Sequence, residues 1–237
     1  MKIGGLQRTT LIDYPGKIAA TVFLSGCNFF CPWCYSPELV LPEKIKKQPK
    51  VSEKEFFAFL KERQGLLGGV VICGGEPTMQ KGLPDFIKKI KKLGFSVKLD
   101  TNGSNPRMLK DLIDKKLIDY VAMDIKIPLE PELKTRASSL KFIYKYKKEI
   151  KESVDILEKE DVDFEFRTVI VPTIHKKEDF IKIAKWIGGK NIKYFLQNFR
   201  PEKTIDPKFE KIRPYSDEWM IDVKKEISPF FKICEIR

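Results

Sequence analysis

Three of the five cysteines fall within eight residues, in the run Gly26-Cys27-Asn28-Phe29-Phe30-Cys31-Pro32-Trp33-Cys34-Tyr35. The spacing is C-x3-C-x2-C. Thiolates that close together on one loop suit three irons of a cubane cluster and leave the fourth iron without a protein ligand. A structural zinc site is closed and four-coordinate, so three cysteines are one too few for it. The single histidine, His175, lies far away in sequence with no cysteine beside it. A catalytic zinc held by three cysteines is the alternative. Cys73 and Cys234 stand alone in apolar stretches and read as small core residues, so no second cluster is expected. An odd cysteine count argues against a disulfide framework.

Other polar groups gather in short motifs. Gly74-Gly75-Glu76-Pro77 carries two glycines that permit close backbone approach and positive φ; its plain reading is a tight turn. Asp100-Thr101-Asn102-Gly103 ends in a strong turn dipeptide. In Met123-Asp124-Ile125-Lys126, strand alternation puts Asp124 and Lys126 on one face, with a surface salt bridge as the plain alternative. Arg167 stands inside the apolar stretch Phe166-Arg167-Thr168-Val169-Ile170-Val171. If buried it requires a partner, either an acidic neighbour or an anionic ligand. Gln197 and Asn198 close a later apolar run, and His175 reads as a solvated loop residue.

These motifs share a position. Strands are predicted over 18–25, 70–73, 96–100, 120–124, 163–171 and 193–197, and each polar motif sits at or just past a strand end. Helices are predicted over 53–63, 83–93, 106–116, 139–159, 178–187 and 216–226. Ser52 with Glu55 makes a capping box, Asn105-Pro106 an N-terminus, and Gly94 a C-terminal stop. Strands alternating with helices imply parallel right-handed βα units. Six units are too few for a closed eightfold barrel. The expected fold is therefore α/β, a partial open (β/α)6 TIM-like barrel with parallel strands, its site at the C-terminal strand ends. One domain is expected over 1–237: a cluster loop at 25–36, a barrel core over about 18–200 and a helical extension over about 215–237. Surface loops are expected at 37–50 and 200–214.

Composition excludes several classes. With 42% hydrophobic residues the chain can bury a core. It has no apolar run long enough to span a membrane. The first residues lack a signal-peptide core, so the cytoplasm is the expected location and a membrane is not an expected partner. The net charge of +12 comes from 45 Lys+Arg against 33 Asp+Glu. The lysines recur along amphipathic segments, which reads as solvated helix faces. No aromatic-interleaved basic motif appears, and nucleic acid is not expected as a partner.

The C-x3-C-x2-C loop with Trp33 before its last cysteine resembles the radical S-adenosylmethionine (SAM) superfamily. The resemblance implies a [4Fe–4S] cluster held by Cys27, Cys31 and Cys34, whose open iron is chelated by the amino and carboxylate groups of SAM. Reductive cleavage there yields a 5′-deoxyadenosyl radical. It further implies cofactor contacts from Trp33, Cys34, Tyr35, Gly74, Gly75, Glu76, Thr101, Asn102, Asp124, Lys126, Arg167 and Gln197. Gly74-Gly75-Glu76 is similar to the element that binds the methionine ammonium, and Asp124-Ile125-Lys126 to one that contacts the cofactor carboxylate and a peptide substrate.

The stretch from Gly4 through Asp13-Tyr14-Pro15-Gly16 to Ala20, with Cys31-Pro32-Trp33-Cys34 and Tyr35-Ser36-Pro37-Glu38, narrows the match. It resembles the activating proteins of anaerobic ribonucleotide reductase and of pyruvate formate-lyase. That resemblance implies hydrogen abstraction from a glycine of a partner glycyl radical enzyme, with electrons from an external donor such as flavodoxin or ferredoxin. Tyr35 stands where many activases have His. Two other readings stay open: a radical SAM enzyme acting on a small molecule or a tRNA base, and an electron-transfer iron–sulfur protein, which predicts four cysteine ligands where three are present.

Overall fold

The computed structural model describes residues 1–129 and 140–237. Its sheet has eight strands in sequential order: β1 (Ile3–Thr10), β2 (Ala19–Leu24), β3 (Gly69–Gly74), β4 (Ser96–Thr101), β5 (Tyr120–Asp124), β6 (Asp163–Ile170), β7 (Gly189–Asn198) and β8 (Phe231–Ile236). β1 pairs antiparallel with β2, and every later pair is parallel. β1 and β8 are the two edges, so the barrel stays open. β2 to β7 are the six strands the sequence predicts. Their buried side chains meet helices on one face and the barrel interior on the other, which is why they read as continuous apolar runs.

Both flanking strands depart from the sequence reading. β1 is built from Gly4-Gly5-Leu6-Gln7-Arg8, which has no apolar run, and owes its conformation to pairing with β2. β8 lies in the part expected to be a helical extension. It has only Phe231 and Cys234 buried and follows β7 in parallel, so its edge position hides the usual alternation. That segment is thus a helix followed by a strand.

The described helices are α1 (Pro37–Val40), α2 (Pro42–Ile45), α3 (Glu53–Glu62), α4 (Leu83–Lys92), α5 (Pro106–Asp114), α6 (Lys141–Tyr144), α7 (Lys147–Lys159), α8 (Lys177–Ile187) and α9 (Asp217–Ile227). α3 has the expected capping box between Ser52 and Glu55, and Asn105 caps α5. The supposed loop at 37–50 contains α1 and α2, and that at 200–214 holds a 3-10 turn, Pro207–Lys211. The single helix expected over 139–159 is α6 and α7, with Ser139 outside the described residues. Phe142 and Tyr146, on either side of the break, both pack on Phe29, with ring centroids 5.4 and 5.6 Å away. The helix layer thereby grips the cysteine loop.

Most of the core lies between sheet and helices. A smaller cluster of Tyr14, Ala19, Val71 and Tyr120 fills the barrel interior, with Cys73 packed against it.

Candidate active site

The cysteine loop begins where β2 ends. Gly26 takes φ +103° and Gly74 φ +119°. A Cβ on Gly75 would lie 2.0 Å from the Gly26 carbonyl oxygen, and one on Gly74 2.4 Å from Leu24 backbone atoms. Two glycines are therefore what let the β3 end meet the β2 end, and the Gly75 and Glu76 amides donate to the Leu24 and Gly26 carbonyls at 2.8 Å. From there the loop turns inward. Cys27, Cys31 and Cys34 line one cavity of about 270 Å³ at the C-terminal strand ends.

Among the described residues, no three His, Cys, Asp or Glu side chains converge to hold a single ion. Three thiols lining one cavity suit a cluster with one iron per thiolate. Burial pushes the Cys27 thiol up to about 12 and also raises Cys31 and Cys34; the nearby Lys126 ammonium pulls each back only in part.

The opposite wall is charged and sits on strands. Lys98 on β4 pairs with Asp100. Asp100 meets Arg167 of β6 at 3.1 Å, Arg167 meets Asp124 of β5 at 2.9 Å, and Asp124 meets Lys126 at 2.8 Å. The parallel register that places Asp124 beside Arg167 makes this ladder possible. Burial alone would raise the Asp124 carboxyl, but Arg167 and Lys126 more than offset it and hold it well below the usual range. Burial likewise works against charge on Lys126, and Asp124 and the cysteines reverse that. The ladder has one more cation than anions, and its last member, Lys126, is the one that faces the thiols. Such a wall favours an anionic group entering the cavity.

Of the residues singled out from the sequence, Trp33, Tyr35, Gly74, Gly75, Thr101, Asn102, Asp124, Lys126, Arg167 and Gln197 line this cavity with the three cysteines. Trp33 is buried, and Tyr35 stacks on Phe199 at 6.3 Å. Glu76 is placed differently. It is fully buried outside the lining, where its carboxylate accepts from the Thr78 amide and hydroxyl, the Thr101 hydroxyl and the Asn102 amide. It ties the β4 end to the β3 end.

His175 is also placed differently from expectation. It is buried, not solvated: its Nδ1 accepts from the Val171 amide at 2.9 Å, and Nε2 lies 2.8 Å from the Lys126 carbonyl oxygen, so that nitrogen carries the proton. Cys73 packs on the interior cluster, as its apolar surroundings in the sequence suggest, and it also lines the cavity. Its electrostatic neighbours are Asp100, Arg167 and Lys98, whereas the three loop cysteines act on one another and on Lys126. It belongs to the charged wall.

Sequence reasoning missed Asn28 and Ser104. Asn28 donates to the Ser104 hydroxyl at 2.8 Å and accepts from the Asn102 amide group at 3.0 Å, which laces the cysteine loop to the β4 end. The signal was present, since Asn28 is a polar residue between two cysteines and two phenylalanines, but its partner lies 76 residues away.

Comparison with known proteins agrees with this arrangement. The family described as the Radical SAM superfamily matches residues 21–187. A Methanocaldococcus jannaschii protein named "Putative glycyl-radical enzyme activating enzyme" is 34% identical over 213 residues, 89% of this chain and 85% of that one. A 7-carboxy-7-deazaguanine synthase from Aquifex aeolicus is 29% identical over 72% of this chain and 75% of its own. A radical SAM methyltransferase from Sphaerobacter thermophilus shares the fold, with a TM-score of 0.70 at 16% identity over 97% of this chain and 68% of that one. The chain belongs to the radical SAM superfamily, enzymes that use a [4Fe–4S] cluster and S-adenosylmethionine.

Proposed function

We propose that this enzyme activates a glycyl radical enzyme. The observation that carries the reading is the side opening of the cavity. Tyr35, Arg167 and Gln197 line both the cysteine cavity and a cleft of about 860 Å³ that runs down the open seam between the β1–β2 loop and β7–β8. A polypeptide loop can enter such a seam without the protein opening. Similarity to the named activating protein over 89% of the chain supports the same reading.

In this reading Cys27, Cys31 and Cys34 each hold one iron. The Gly74-Gly75 backbone receives the methionine ammonium, Lys126 receives its carboxylate, and Arg167 holds Asp124 in place beside Lys126. Trp33, Tyr35, Thr101, Asn102 and Gln197 surround the nucleoside, and Glu76 positions Thr101 and Asn102 beneath it. When bound, cluster and SAM with one electron from an external donor supply a 5′-deoxyadenosyl radical, which takes a hydrogen atom from a glycine Cα. The buried Phe29 and Trp33 keep water from the loop side. No helix among the described residues is long and apolar enough to cross a membrane. We infer one domain and a cytoplasmic setting.

A small-molecule reaction is the second reading, favoured by the likeness to a deazaguanine synthase. The test is anaerobic incubation with SAM, reductant and a candidate anaerobic ribonucleotide reductase. A glycine-centred doublet in electron paramagnetic resonance is expected. SAM turnover with no protein radical, stimulated by a deazaguanine-related small molecule, would contradict the activase reading.

A further inference from the structure

Arg237 lines the seam cleft, and the reaction as described leaves it without a role. Its guanidinium forks onto Glu165, a fully buried carboxylate in the barrel interior, at 2.8 and 3.1 Å. Glu165 also accepts from the Tyr120 hydroxyl at 2.9 Å. The guanidinium carbon lies 3.4 Å from the centre of the Phe195 ring, so the group is clamped flat. The side chain nevertheless remains 38% exposed. The fork occupies two of its five N–H groups, which leaves three in the plane of the group free to donate.

The charge of this cleft is already balanced at most points. Arg237 is neutralised by Glu165, Arg167 by Asp100 and Asp124, and Lys203 by Glu38 at 2.8 Å. Among the cleft's cations, only Arg200 has no carboxylate partner among the described residues. A neutralised guanidinium donates hydrogen bonds without demanding a counter-charge, and a second carboxylate beside it would face Glu165. Neutral acceptors are the better match, and the densest source of those is an extended backbone with its carbonyl oxygens. Leu11 and Ile12 on the opposite lip are 74% and 85% exposed, apolar side chains available to pack on such a segment.

We propose that the seam cleft binds the backbone of an extended polypeptide and that Arg237, set by Glu165 and Phe195, donates to its carbonyl oxygens. This rests on the activase reading and specifies how the substrate is recognised. Arg237→Lys keeps a charge for Glu165 but loses the fork, so one ammonium cannot serve both Glu165 and the cleft. The probe is an end-capped peptide of alanines around one glycine, assayed by 5′-deoxyadenosine release in reduced, reconstituted enzyme, alongside a full-length glycyl radical enzyme.

Arg237→Lys should raise KM for both about tenfold, with kcat within about threefold, in a variant that stays folded at the assay temperature even if its thermal midpoint falls by a few degrees. An unchanged KM in the folded variant would overturn the assignment. So would a parallel fall in kcat and thermal midpoint, which marks a purely structural brace. Glutarate stimulating turnover through Arg200, with the peptide inert, would give the cleft to a small anion and also overturn it. If wild-type enzyme forms no radical on either probe, the activase reading itself falls and takes this assignment with it. Radical formation by wild type with no Arg237 effect defeats this assignment alone.

Discussion

The two walls of the cavity are built on different principles. The cysteine wall is a loop. Its thiols are buried or half-buried and pushed toward the neutral form: Cys27 accepts one amide at 3.3 Å, and the loop is steadied from behind by Phe142, Tyr146 and Ser104. The charged wall is made of strand ends, and every group in it already has a partner at hydrogen-bond distance. The first wall is a set of ligands completed only by a bound group. The second is organised in advance. Electrostatic work is best done by groups fixed on rigid elements, whereas ligation of a multi-iron cluster needs several side chains on one short segment.

The sharpest way to break this contrast is to remove one thiol from each wall. Cys31→Ala should drop bound iron from about four per chain to near zero after anaerobic reconstitution, and radical formation with it. Cys73→Ala should keep full iron content, since Cys73 belongs to the charged wall. Equal iron loss in both variants would make Cys73 a ligand and erase the distinction.

Next in size is Asp124→Asn. It leaves Arg167 and Lys126 sharing a neutral amide, and breaking a largely buried ion pair from one side costs about 3 kcal/mol. Urea unfolding should show that loss at pH 7 and a weakened affinity for SAM, with iron retained. The pH profile carries a sign. Because the Asp124 carboxyl is held below its ordinary 3.8, its contribution is present above that value and disappears as pH falls through its folded pKa. Wild type should therefore lose stability on acidification below about pH 4, and the variant should lose less there. A variant as stable as wild type at pH 7 would mean the ladder is not preorganised.

Glu76→Gln is the smallest and most local change. An amide replaces an acceptor held by four donors, so about 1–3 kcal/mol of stability should be lost. Iron should stay and SAM affinity should fall, because Thr101 and Asn102 lose their anchor. Unchanged SAM affinity would detach Glu76 from the site.

These regions were unequally legible in the sequence. Cysteine spacing, the polar strand ends and the family resemblance those motifs carry identified most of the cavity lining. The ladder's partners were not legible: Asp124 with Arg167 depends on the register between β5 and β6, which no local pattern fixes. His175 was misplaced for a related reason, and the four donors around Glu76 were equally illegible. Burial with complete hydrogen bonding looks, in sequence, like an exposed polar residue in a turn. The six central strands were readable because both faces are covered. β1 and β8 were not, since an edge strand covered on one side by polar or solvent-facing residues carries no apolar run.

The account rests on an iron that the three thiols leave open to SAM. Electron paramagnetic resonance of the reduced, reconstituted protein, recorded with and without SAM, tests this most directly. The account predicts a four-iron signal whose g values shift when SAM is added and revert when it is removed. A spectrum unmoved by saturating SAM would contradict it.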